Sequence, residues 1–155
     1  MPVLLVRHAH ALARSEWDGD DRERELSQKG HRQAVRLVPV LTEFKPSRLL
    51  SSPYLRCLDT VRPLGRALGR QVESEDRLAE GAGRAAVELV RSLRAEDAVL
   101  CSHGDVIPDI LAVLVHDDGV DLGAHPRVEK ASVWVLDAGG DRFTAASYLP
   151  PPGRH

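Results

Sequence analysis

The sequence predicts an α/β fold: a largely parallel sheet covered by helices on both faces. Three observations predict it. Short apolar runs alternate with amphipathic stretches along the chain. The runs at residues 3–6 and 98–101 are apolar throughout, the mark of strands buried on both faces. Finally, 155 residues with 43% hydrophobic and 28% charged side chains suit one globular domain. A chain of this size typically buries about 70% of its unfolded surface.

The elements follow in order. Residues 3–6 read as a first strand. Ser27 reads as a helix N-cap, and Ala34, Leu37, Val38 and Leu41 then recur at helical spacing, with Pro39 expected to kink or loosen that helix. Residues 48–51 read as a second strand. Pro53 suits a helix first turn, with Leu55, Leu58, Val61, Leu64 and Leu68 on its apolar face. A short strand is expected near Val72, before the turn-rich stretch 80–83. A helix over 86–93, a strand over 98–101 and a helix over 104–115 follow, the last with Pro108 near its start. Strands over 132–136 and 143–148 flank Gly139 and Gly140 as a hairpin. Residues 1–149 form the expected domain, and residues 150–155 a frayed tail.

Composition excludes several function classes. Twenty-one basic against 23 acidic residues leave −2, which gives no charge-driven affinity for nucleic acid. The aromatics Trp17, Phe44, Tyr54, Trp134, Phe143 and Tyr148 are not interleaved with basic residues, so no base-stacking platform is expected. No apolar run approaches the roughly 18 residues of a membrane span, and Arg7 and His8 interrupt the apolar start, so a cytoplasmic protein is expected. Cys57 and Cys101 lack CxxC spacing and read as buried thiols in a reduced cytosol.

In open parallel sheets, ligands sit beyond the carboxyl ends of strands. The first strand ends in Arg7-His8-Ala9-His10, the second in Ser51-Ser52-Pro53-Tyr54-Leu55-Arg56 with Thr60 one turn on, and the later core strand in Cys101-Ser102-His103-Gly104. Two guanidiniums can clamp a phosphoryl dianion bidentately, and histidine is a nucleophile that titrates near neutrality. Two Arg and two His at one sheet edge therefore suggest phosphoryl transfer without a metal. No HExxH or carboxylate-rich set accompanies His8, His10 and His103, and the arginines would repel a cation, so neither metal nor cofactor is expected. His31, His116 and His125 stand outside any motif and read as surface. The acidic stretch 18–25 lacks EF-hand spacing and reads as a solvated loop. It is also a candidate rim where Trp17 lines an entrance and Arg14, Arg22 or Arg24 touches a second phosphate.

These motifs, taken in order, resemble the histidine phosphatase superfamily. They are Arg7-His8, Ser52-Pro-Tyr-Leu-Arg56-x-x-x-Thr60 and Ser102-His103-Gly104. The length and the stretch Leu26-Ser-Gln-Lys-Gly30-x-x-Gln33-Ala34 are most similar to its small SixA-like branch, which includes the phosphatase-like domain attached to some actinobacterial Nudix hydrolases. The chain begins at Met1 with no Nudix box, so a free-standing member is expected.

The resemblance implies a phosphoglycerate mutase-like three-layer sandwich. It implies that His8 is the nucleophile and becomes phosphorylated, and that Arg7, Arg56 and His103 hold the phosphoryl oxygens. Glu80 matches the family's proton donor, with Asp105 the second candidate. The implied partners are a phosphohistidine protein or a small phosphorylated metabolite or nucleotide. The alternative is a module that binds phosphate without turnover. Two departures stand out. Ala9 replaces the usual Gly after the RH pair, adding a methyl expected either to narrow the pocket or to shift the backbone without inactivating the site, and Ala11 and Arg14 replace the Thr and Asn found further along this loop.

Overall fold

The computed structural model describes residues 2–153. β1 (Pro2–Arg7) leads through two 3-10 turns, Arg14–Glu16 and Asp21–Glu23, into α1 (Gln28–Thr42). β2 (Arg48–Ser51), α2 (Leu55–Leu68), β3 (Val72–Ser74), a 3-10 turn (Asp76–Leu78) and α3 (Arg84–Ser92) follow. β4 (Ala98–Ser102), α4 (Val106–Val113) with a π-helical turn (Leu114–Asp118), and the hairpin β5 (Val133–Gly139) and β6 (Arg142–Leu149) complete the fold. The single sheet has the order β3-β2-β4-β1-β5-β6. Its β3-β2-β4-β1 portion is parallel, and β5 and β6 join antiparallel. Among the described residues, no helix is long and apolar enough to cross a membrane.

The pleat divides the core into two layers. Leu4 and Val6 of β1 pack with Leu37 and Leu41 of α1 and Val61 and Leu64 of α2. Val3 and Leu5 face the opposite way, onto Val90 of α3 and Ile107 and Ile110 of α4. Each such buried aliphatic side chain contributes about 1.5–3 kcal/mol relative to exposure. Ser27 caps α1 as its sequence suggests, its hydroxyl accepting from Gly30 N–H at 3.1 Å.

α1 carries Pro39 inside it, as expected, and runs on to Thr42. Two expectations need correction. Pro53 precedes the N-cap Tyr54 rather than entering the helix. α2 buries Arg56, Cys57, Thr60, Val61, Leu64 and Gly65, so its inner face is rotated from the leucine stripe. Leu55 and Leu58 are half-buried beside Trp17 instead. Polar side chains occupy the inner face because it abuts the end of the sheet, where a site rather than a core is built. Leu149 closes β6, and Pro151, within the stretch 150–155, is buried. Arg154 and His155 lie outside the described residues.

Candidate active site

β4 lies between β1 and β2, so the three motif-bearing strands are adjacent and parallel. Arg7 pairs with Ser102 and Ser51 with Cys101, which ends all three strands within a residue of the same level. Arg7, His8, Arg56, Glu80 and His103 consequently converge at one edge.

His8 is buried, and its backbone N–H donates to the Ser102 carbonyl at 3.0 Å. Its ring Nδ1 lies 2.8 Å from the Ala9 carbonyl, which can only accept, so Nδ1 carries the proton and Nε2 keeps its lone pair. Burial pushes the His8 pKa down to about 3; the Ala9 contact opposes that shift, and the charges of His103, Arg56 and Arg7 add to it. The ring is therefore neutral at ordinary pH. His103 stands with its ring centroid 5.6 Å away, its Nε2 2.8 Å from Ser52 Oγ and 3.6 Å from Cys57 Sγ. Tyr54 meets the same ring edge-on at 4.7 Å.

The arginines are held by different means. Arg7 Nη1 donates to the Val128 carbonyl at 2.7 Å, and burial lowers its pKa. Gly104 lets that guanidinium lie flat against the chain, since a Cβ there would come within 2.7 Å of Cζ. Arg56 is 1% exposed, and its Nη groups reach the Asp21 carbonyl at 2.9 Å, Asp21 Oδ2 at 3.3 Å and Glu80 Oε1 at 2.6 Å. Both Nε atoms, of Arg7 and of Arg56, are buried and bond to nothing. Desolvated donors without acceptors are costly, and an anion between them would remove that cost.

Glu80 also lies 3.6 Å from His103 Nδ1. Asp105, the other acid candidate, is exposed and accepts from Gly81 N–H at 2.9 Å, pinning the Glu80 loop. Thr60 Oγ1 donates to the Arg56 carbonyl at 2.7 Å and accepts from Ala9 N–H at 2.9 Å, tying α2 to the His8 loop. The extra methyl of Ala9 packs in the apolar layer with Leu37 and Leu41, so it does not narrow the phosphate side. His10 stays out of the cluster, its Nδ1 held 2.6 Å from Ser27 Oγ.

Sequence reasoning missed Asp21. Its loop reads as solvated, yet it reaches Arg56, and Arg24 braces it at 2.9 Å while donating to the Leu12 carbonyl. Arg24 is buried and held by Asp21 and Leu12, and with Arg14 and Trp17 it lines a depression of about 330 Å³ beside Glu80. Arg22 lies over the Tyr54 ring.

Residues 3–85 match the model of the histidine phosphatase superfamily (branch 1). The chain belongs to the histidine phosphatase superfamily. Within the superfamily, an 8-oxo-(d)GTP phosphatase of Mycolicibacterium smegmatis is 34% identical over 156 residues, taking in 97% of this chain and 48% of that protein. The chain thus spans about half the length of the curated relative it matches. Among solved structures, the protein histidine phosphatase SixA complexed with tungstate superposes with a TM-score of 0.79 at 21% identity, covering 97% of both chains. A mycobacterial glucosyl-3-phosphoglycerate phosphatase with VO3 superposes at 0.70 and 20% identity, over 92% of this chain and 95% of that one. These likenesses show the phosphoglycerate mutase-like fold.

The depressed His8 pKa has a consequence for stability. An unfolded histidine titrates near 6.5, and in the fold His8 titrates at about 3. Between those values the unfolded chain binds a proton that the folded chain does not. The His8 contribution is therefore complete above pH 6.5 and is lost as pH falls toward 3, with a slope of up to about 1.4 kcal/mol per pH unit. Urea unfolding of wild type and His8→Gln across this range measures it. The variant is expected to show the shallower fall, and parallel curves would rule out a neutral buried ring.

Proposed function

We propose that this chain is a metal-independent phosphatase working through a phosphohistidine at His8. One observation carries the reading. A neutral ring with its Nδ1 fixed on the Ala9 carbonyl lies beside two buried guanidinium N–H groups that have no acceptor. In the first step the Nε2 lone pair attacks phosphorus and the bond to the leaving oxygen breaks. The Ala9 carbonyl then faces the positive charge that appears on the ring. Arg7, Arg56 and His103 hold the equatorial oxygens, so catalysis is positioning plus charge stabilisation. As those oxygens take over Arg56, Glu80 is released; the proton brought by a phosphate monoester monoanion passes through its carboxylate to the leaving oxygen, and the carboxylate then takes a proton from the attacking water. His8 returns neutral.

Of the two substrate classes, a small phosphorylated molecule such as a nucleotide is favoured over a phosphohistidine protein. The relative that acts on 8-oxo-(d)GTP shares 34% of its matched residues, against 21% for the SixA structure.

The test is phosphate release in EDTA by wild type and Glu80→Gln, on an alkyl phosphate and on p-nitrophenyl phosphate. Turnover is expected to survive EDTA. The variant is expected to lose about 100-fold on the alkyl ester but under tenfold on the aryl ester, whose phenolate leaves unprotonated. A folded protein that binds vanadate but turns over neither ester would instead be a phosphate-binding module.

A further inference from the structure

We propose that a cationic depression beside Arg7 is a second anion subsite, which takes the penultimate phosphate of a diphosphate substrate. The inference rests on the phosphatase reading and adds a substrate class to it. The depression holds about 480 Å³ and is lined by Arg7, His10, Lys29, Gln33, Glu129 and Lys130, with Pro151 at one wall. Arg7, which lines this depression, also belongs to the cluster that converges with His8, and Ala131, next to Lys130, donates its N–H to the Arg7 and His8 carbonyls at 3.1 and 3.2 Å.

The lining is built for an anion. The chain holds 18 arginines but only three lysines, and two of the three, Lys29 and Lys130, meet here. Neither forms an ion pair among the described residues. Lysine presents a compact charge with three rotatable donors, which suits a phosphate of variable approach. Burial, and then the charges of Arg7, Arg24, Lys29 and Arg56, lower the Lys130 pKa; burial, Lys130 and Lys29 lower that of His10 against an opposing Glu16. The acidic wall residue, Glu129, has its Oε1 3.2 Å from Arg127 Nη1. Gln33 Oε1 accepts from His10 N–H at 2.9 Å, which leaves its NH2 end to donate. Lys29 also stands in the first turn of a fifteen-residue helix, whose positive end adds to the field.

The chemistry balances without any other reactant. His8 Nε2 bonds to the terminal phosphorus while the bridging P–O bond breaks, and the electron pair stays on the penultimate phosphate as its new oxyanion. Lys29, Lys130 and Arg7 neutralise that charge where it forms. Such a leaving group needs little protonation, so Glu80 matters less than for an alkyl ester. Water then cleaves the P–N bond and releases orthophosphate.

The experiment is calorimetric titration with orthophosphate and with methylenediphosphonate, which cannot be cleaved, beside a p-nitrophenyl phosphate assay. Wild type is expected to bind the diphosphonate at least tenfold more tightly than orthophosphate. Lys29→Ala/Lys130→Ala is expected to cut that preference to under threefold, while Lys29→Arg/Lys130→Arg keeps most of it. Lys29→Ala alone, at an exposed position, is expected to reduce it in part. No preference in the wild type, or one that survives the double alanine change, overturns the subsite. A wild type that neither turns over p-nitrophenyl phosphate nor binds orthophosphate overturns the phosphatase reading instead.

Discussion

Replacing His8 with alanine is expected to lower kcat about 10,000-fold on every phosphate ester while the protein stays folded. The fall is large because, among the described residues, no other buried side-chain nitrogen is placed to replace His8 Nε2. His103 Nε2 is 2.8 Å from Ser52 Oγ, and Cys57 lies against that ring rather than in the opening. The fold should survive because β1 is anchored by its backbone. The His8 N–H to Ser102 bond and the Ala131 N–H to His8 carbonyl bond, 3.0 and 3.2 Å, do not depend on the side chain. Rapid acid and alkaline quenches of turnover provide the direct measurement. Wild type should yield a phosphoryl-protein that is lost in acid and kept in base, and the variant should yield none. Residual turnover within tenfold of wild type, or a phosphoryl group on another residue, would remove His8 from the nucleophile's role.

The four residues most easily read from the sequence, Arg7, His8, Arg56 and His103, are the ones that local order places. Each ends a strand, follows one directly or opens the helix after it, so reading the strands locates the side chains. What lay beyond reach came from long-range contacts. Nothing near Val128 marks its carbonyl as the acceptor for Arg7, because the two lie 121 residues apart. The choice between Glu80 and Asp105 also needed the third dimension, since both flank the same edge and only a contact to His103 or Gly81 separates them. α2 misled for a different reason. Its leucines form a continuous stripe, and hydrophobic periodicity assigns the stripe to the core, but the inner face of this helix carries Arg56 and Thr60 for the site. Asp21 was hidden by composition: in a run of acids and arginines, one carboxylate with a structural task looks like its solvated neighbours.

Arg56→Ala is expected to lower kcat/KM about 1,000-fold and to destabilise the fold by about 2 kcal/mol. Both effects come from one buried guanidinium that serves two masters. Its Nε is buried without an acceptor, and the proposed mechanism gives it a phosphoryl oxygen, while its Nη groups hold Asp21 and Glu80. Removing it leaves those carboxylates unbalanced, yet Asp21 and Glu80 keep 40% and 33% of their side-chain surface. The cost therefore stays below the roughly 3–5 kcal/mol of a fully buried broken pair. Arg56→Lys separates the two tasks. An ammonium keeps the charge near Asp21 and Glu80 and should restore most of the stability, but it has no planar fork to bond the carboxylates and a phosphoryl oxygen together. Activity in the lysine variant should accordingly remain at least 100-fold down while its urea midpoint returns toward wild type. Recovery of both in parallel would mean that Arg56 acts as charge alone, and that the unpartnered Nε has no part in holding the phosphoryl group.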